Sequence, residues 1–183
     1  MEYVAPIKDI RKIRLMKQVI KKKSSRDFLL FVMGINTGLR IGELLELKVR
    51  DVMEPDGNFR LYLDSPKEKK QIIYLNDQVR RALQHHFQLQ VPSLNRFLFQ
   101  SSRGDHCITR QQAYRIINDA AKQVGITERV GTHTLRKTFG YHAYIRGIAI
   151  SLIQRRFNQA TPSDTLKYIG IDKTEPQKID VNL

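Results

Sequence analysis

Apolar residues recur along most of the chain at three- and four-residue steps, the period of helices that bury one face. Between Lys8 and Arg26 the stripe is Ile10, Ile13, Met16, Val19 and Ile20. Ser24-Ser25 then reads as a cap for a second helix, whose run Phe28-Leu29-Leu30-Phe31-Val32-Met33 is apolar on every side and suited to full burial. Asn36-Thr37-Gly38 ends it, and a short helix from Ile41 to Leu47 follows with Leu44, Leu45 and Leu47 inward. After the turn signal Glu54-Pro55-Asp56-Gly57-Asn58, two short strand-like runs, Phe59–Leu63 and Gln71–Leu75, flank a polar, lysine-rich hairpin loop. Asn76 caps a helix carrying Val79, Leu83 and Phe87, closed by Val91-Pro92. Thr109 caps another to about Val124, with Ala113, Ile116, Ile117 and Ala120 on one side. Further helices are predicted over Thr132–Arg146, Ile148–Phe157 and Ser163–Ile169. The pattern predicts a mainly α chain with one small antiparallel β-sheet, an α+β fold.

A length of 183 residues fits one domain, and 41% hydrophobic residues supply a core that a disordered basic tail would lack. No apolar run approaches the roughly 20 residues of a membrane-spanning helix. The opening residues MEYVAPIKDI lack a signal-peptide core, so the expected location is cytoplasmic. Cys107 alone can form neither an internal disulfide nor a cysteine-based zinc site. The five histidines show no metal-ligand spacing, and no metal or cofactor is expected. Charge narrows the function further. Lys+Arg number 32 against 18 Asp+Glu, a formal net charge of +14, which points to a polyanion: DNA, RNA or an acidic membrane surface. Nine of the basic residues lie between Lys8 and Arg26. The apolar stripe there has no Trp or Phe anchor, which weakens the membrane reading.

Four local patterns carry candidate chemistry. In Thr37-Gly38-Leu39-Arg40-Ile41-Gly42-Glu43-Leu44, Gly38 permits a tight turn and Arg40 sits three residues before Glu43 on one helix face. A surface ion pair is the plain reading; a guanidinium oriented by Glu43 to bind a phosphate is the functional one. In Gly131-Thr132-His133-Thr134-Leu135-Arg136-Lys137, His133 and Arg136 share a side at the start of a helix, a spacing that is also common by chance. Lys67-Glu68-Lys69-Lys70 on the hairpin reads either as a solvated tip or as a mobile loop whose lysine reaches a nucleic-acid groove. In Pro162-Ser163-Asp164-Thr165-Leu166-Lys167-Tyr168-Ile169-Gly170, Tyr168 is either packing or a nucleophile downstream of the histidine–arginine pair.

In order and approximate spacing, Arg40 in TGLRIGELLELKVRDV, Lys67 on a hairpin, His133 and Arg136 in GTHTLRKTFGYH, and Tyr168 in ATPSDTLKYIGI resemble the signature of the tyrosine recombinase or phage integrase family. The resemblance runs from about Arg26 to Ile171 and implies that family's catalytic-domain fold. It divides the chain into a basic N-terminal helix or extension at 1–25, a catalytic domain at 26–171 and a polar tail at 172–183. It implies a site-specific recombinase or integrase acting on double-stranded DNA without metal or ATP, with Tyr168 as nucleophile forming a 3′-phosphotyrosyl intermediate. Arg40 and Arg136 would stabilise the transition state. His133 would assist proton removal from the tyrosine or hydrogen-bond the phosphate. Lys67 would protonate the leaving 5′ oxygen, with Lys69 as a rival, while Lys69, Lys70 and Lys137 would contact DNA.

Two departures from the family pattern stand out. Where a histidine or tryptophan usually lies nine residues before the nucleophile, this chain has Gln159, which can still donate one hydrogen bond; impaired rather than absent cleavage is expected. Typical members also carry an N-terminal helical DNA-binding domain, and only about 25 residues precede the catalytic portion here. The expectation is that Lys8–Arg26 takes part of that role, that an accessory DNA-binding protein supplies it, or that independent DNA affinity is weak. Family members assemble as homotetramers on paired sites. A catalytically weak DNA-binding regulator with the same fold is the alternative, and a type IB topoisomerase-like nicking-closing enzyme a third reading.

Overall fold

The computed structural model describes residues 4–65, 71–88 and 93–171, so Lys67, Lys69, Lys70, Val91-Pro92 and the tail from residue 172 lie outside the described residues. The described chain is helical with one two-stranded sheet: α1 (Ile10–Lys23), α2 (Ser25–Thr37), α3 (Ile41–Glu46), β1 (Tyr62–Asp64), β2 (Ile72–Tyr74), α4 (Asp77–His86), α5 (Arg110–Gln123), α6 (Thr132–Ile145), α7 (Ile150–Phe157) and α8 (Pro162–Ile169). Caps set most of the helix starts as expected. Ser24 Oγ accepts from Asp27 N at 3.2 Å, Asn76 Oδ1 from Val79 N at 3.1 Å, and Thr109 with Gln112 forms a reciprocal capping box.

The apolar α2 is central and packs against α1, α4 and α6. Its Leu29, Leu30, Val32 and Met33 join α3, the hairpin and α4 in the largest core cluster. Phe31 faces the other way, into a second cluster with Ile13, Met16 and Ile20 of α1 and with Ile117, Ala120 and Ala121 of α5. Thus α1 shares the core of the helices that follow it, and the expected boundary at residue 25 coincides with no break in packing. Ile10, read as part of the buried stripe, is 49% exposed at the helix start. A third, smaller cluster joins α7 and α8 through Ile153, Phe157 and Ile169, with Phe139 and Tyr141 of α6 packed against it.

The strands are shorter than the sequence runs. They pair antiparallel in the register Tyr62–Tyr74, Leu63–Ile73 and Asp64–Ile72. Phe59 forms an isolated bridge with Met53 instead of entering the ladder. The alternation of the hairpin buries Leu63 and Ile73 and exposes Tyr62, Ile72 and Tyr74. No described helix is long and apolar enough to cross a membrane.

Candidate active site

The turn between α2 and α3 builds the first part of the site. Gly38 ends α2 in the left-handed region at φ 69°, and a Cβ there would lie 2.5 Å from the Phe139 ring, so both conformation and space select glycine. The turn delivers Arg40 as the N-cap of α3. Its backbone N donates to Glu43 Oε2 at 2.6 Å and its Nη1 to Glu43 Oε1 at 3.0 Å. The Glu43 side chain is 3% exposed and that of Arg40 44%, so a buried carboxylate aims a guanidinium that keeps an open face.

Arg136, on α6, enters the same cluster from below. It is 6% exposed. Its Nη1 donates to Gly38 O at 2.7 Å and lies 3.7 Å from Glu43 Oε2, while Nη2 reaches Arg156 O at 3.5 Å. The guanidinium also stacks 4.5 Å from the centre of the Phe157 ring. One carboxylate therefore faces two arginines, and Arg136 is held further by the carbonyls of Gly38 and Arg156.

Tyr168 comes from α8, whose start is fixed by Pro162 and by Thr161 Oγ1 accepting from Asp164 N at 3.0 Å. The half-buried ring packs edge-on to Phe157 at 5.4 Å. Burial pushes the phenol above the usual tyrosine range, opposed by the charges of Arg136 and Arg40 and by a hydrogen bond from Arg136. His133, one turn before Arg136 on α6, is exposed at the surface, with its ring partly desolvated by its neighbours. That desolvation and then the positive charges of Lys137, Arg136, Arg40 and Arg110 hold it below the ordinary imidazole value, so it is neutral at neutral pH.

Arg40, His133, Arg136 and Tyr168 are thus brought together from α3, α6 and α8. Gln159 follows the left-handed residue Asn158 at the end of α7, its backbone held by Gln154 O at 3.1 Å. Its amide Oε1 is buried and accepts no hydrogen bond among the described residues. Lys137, read as a DNA contact, is placed differently: 6% exposed, with Nζ donating to Val4 O at 2.8 Å and lying 5.2 Å from the centre of the Tyr168 ring. The loop of Lys67, Lys69 and Lys70 is outside the described residues, but its stem is not. Gln71 Nε2 donates to Arg155 O at 3.0 Å and to Arg156 O at 3.3 Å, so the hairpin springs from the carbonyl that also receives Arg136.

Arg156 was not anticipated. Its Nε donates to Thr37 O at 3.0 Å, and burial together with the Arg136 charge lowers it to about 10. The signal was available: Arg156 follows Ile153 by three residues, which puts a basic residue on the buried face of a short amphipathic helix. Among the described residues no group of three or more His, Cys, Asp or Glu side chains could hold a metal ion. The cluster instead concentrates fixed cationic donors around a phenol, an arrangement suited to binding a phosphate diester and stabilising added negative charge on it.

Residues 9–175 match the model of the phage integrase family. The chain is 41% identical over 173 residues to the probable integrase/recombinase YoeC of Bacillus subtilis, covering 94% of this chain and 93% of that protein. It is 28% identical over 155 residues to the tyrosine recombinase XerC of Thermodesulfovibrio yellowstonii, covering 80% of this chain and 50% of that protein. Among solved structures, the XerA recombinase superimposes with a TM-score of 0.76 at 23% identity, over 94% of this chain and 61% of that one, which shows a shared fold. The chain therefore spans nearly all of one curated relative and about half of the other.

Proposed function

The chain belongs to the phage integrase family, the tyrosine recombinases, and on that premise we propose that it breaks and rejoins double-stranded DNA at specific sites through Tyr168. The phenol oxygen attacks the scissile phosphorus in line. A 3′-phosphotyrosyl bond forms, the bond to the 5′ oxygen breaks, and a 5′-hydroxyl from another strand later reverses the step. Neutral His133 takes the phenolic proton or hydrogen-bonds the phosphate. Lys67, or Lys69 two residues on, gives a proton to the departing 5′ oxygen. Arg40 and Arg136 donate to the non-bridging oxygens, where charge grows in the transition state. Gln159 adds one amide donor to the same phosphate. Storing the phosphodiester energy in the tyrosyl bond lets ligation proceed without ATP. The surplus of cationic residues tracks the duplex backbone, and productive exchange takes place in a homotetramer on paired sites, with an accessory DNA-binding protein as a further partner.

The observation that carries this reading is the meeting of Arg136, Arg40 and Tyr168, with the phenol hydrogen-bonded by the same guanidinium that Glu43 and Gly38 hold in place. Its test is a suicide duplex built from the DNA flanking the gene and nicked near the cleavage point, so that the cleaved fragment diffuses away. The protein is expected to form an adduct that survives a denaturing gel and is unaffected by a metal chelator. DNA binding with no adduct at any concentration would favour the regulator instead.

The pH dependence follows from His133. Its proton-accepting form is lost as pH falls through a value held below the ordinary one of about 6.5. If it is the base, the second-order rate of adduct formation, which reports the free enzyme, should reach half its plateau only at a pH below about 6.5. An acid limb centred at or above about 6.5 would contradict that role.

A further inference from the structure

At the first position of α5, Arg110 stands in an electrostatically adverse place. A cation at a helix N-terminus opposes the helix dipole. Arg110 also adds to a cluster that already holds Arg40, Arg136 and Lys137 around His133. Among the described residues its guanidinium makes no hydrogen bond and no ion pair. It is exposed, yet its guanidinium rests against the backbone of Gly42 on α3, where a Cβ would come within 2.6 Å of Nη2, 3.2 Å of Cζ and 3.3 Å of Nε. Gly42 is itself an unfavourable residue inside a helix. A glycine where alanine would suit the helix, and a cation where an anion would suit it, share one explanation if the pair forms a seat for a bound anion.

We propose that Arg110 is a further DNA-phosphate ligand of this site, seated by the bare backbone of Gly42 in place of an acidic partner. This rests on the reading of the site as the place of DNA cleavage. Because it packs on Gly42, two residues beyond Arg40, Arg110 stands beside the cluster rather than within it and is assigned the phosphate adjoining the scissile one.

The two residues permit a paired test on the suicide duplex. Arg110→Met removes the charge and keeps the stem. Gly42→Ala keeps every charge, favours the helix, and displaces the guanidinium. Both are expected to slow adduct formation at saturating DNA by roughly tenfold or more, and Arg110→Lys to recover part of the loss. A neutral methylphosphonate at the adjoining phosphate should slow wild type similarly and add nothing to Arg110→Met. Wild-type rates in Arg110→Met and Gly42→Ala, or a full additional loss from the methylphosphonate, overturn the assignment.

If wild type forms no adduct, it is the cleavage reading that fails, and inorganic phosphate then decides on Arg110. Followed through the His133 ring signals by NMR, phosphate should bind several-fold more weakly to both variants. Equal binding by all three proteins overturns the proposal.

Discussion

Tyr168→Phe is expected to fold, to bind duplex DNA within about threefold of wild type, and to form no covalent adduct at any time or concentration. The substitution keeps the ring, which packs edge-on against Phe157 at 5.4 Å and under Lys137 at 5.2 Å. What it deletes is one oxygen and its hydrogen bond from Arg136. A hydrogen bond to a charged donor contributes about 1.5–3 kcal/mol, and an exposed-side partner is replaced in part by water, so thermal unfolding should shift by only a few degrees. Binding is spread over many phosphates and hardly depends on this hydroxyl. The chemistry depends on it completely, because in the proposed mechanism this hydroxyl, hydrogen-bonded by Arg136, is the nucleophile. Gel-shift titration and the denaturing gel, run on the same preparations, read the two properties separately.

Arg136→Ala has the second large effect, and it acts on both stability and rate. Removing the guanidinium leaves Gly38 O without its 2.7 Å donor and leaves the buried Glu43 carboxylate with Arg40 and a more distant Arg156. Leaving buried polar groups underpaired costs about 2–4 kcal/mol. Loss of a transition-state donor lowers adduct formation by about a thousandfold, or about 4 kcal/mol of barrier. Arg136→Lys separates the two effects. An ammonium restores a charge beside Glu43 and much of the stability, but it cannot span Gly38 O, Arg156 O and a phosphate with one planar fork, so the rate stays low. Urea unfolding and single-turnover adduct formation measure them. Recovery of the rate by lysine would show that only charge is needed at this position.

The helices were legible because their caps and periods agree: Ser24, Asn76 and Thr109 each begin a helix where the polar-to-apolar change announces it. The hairpin strands read longer than they are because Phe59 satisfies the same alternation while pairing with Met53. Arg40, His133, Arg136 and Tyr168 were readable as separate motifs. Their convergence was not, since it depends on contacts between residues far apart in the chain: Arg136 with Gly38 O and Glu43, and Phe139, Phe157 and Ile169 packed together across α6, α7 and α8. Lys137 misleads for a related reason. A lysine beside a candidate arginine looks like a DNA contact, and only tertiary structure shows its amine turned to Val4 O and the Tyr168 ring. Arg156 was legible only as a basic residue on the buried face of α7, its acceptor Thr37 O being set by tertiary structure, and Arg110 was hidden because the bare backbone of Gly42 against it has no signature of its own in a sequence.

At the centre of this account, phosphoryl transfer takes place to one particular oxygen. The most direct measurement is mass spectrometry of the wild-type adduct after nuclease and protease digestion. The expected result is a single modified peptide containing Tyr168 and carrying a nucleotide through its 3′-phosphate. A nucleotide on Tyr141, Tyr144 or any other residue, or a 5′-phosphate linkage, would contradict it.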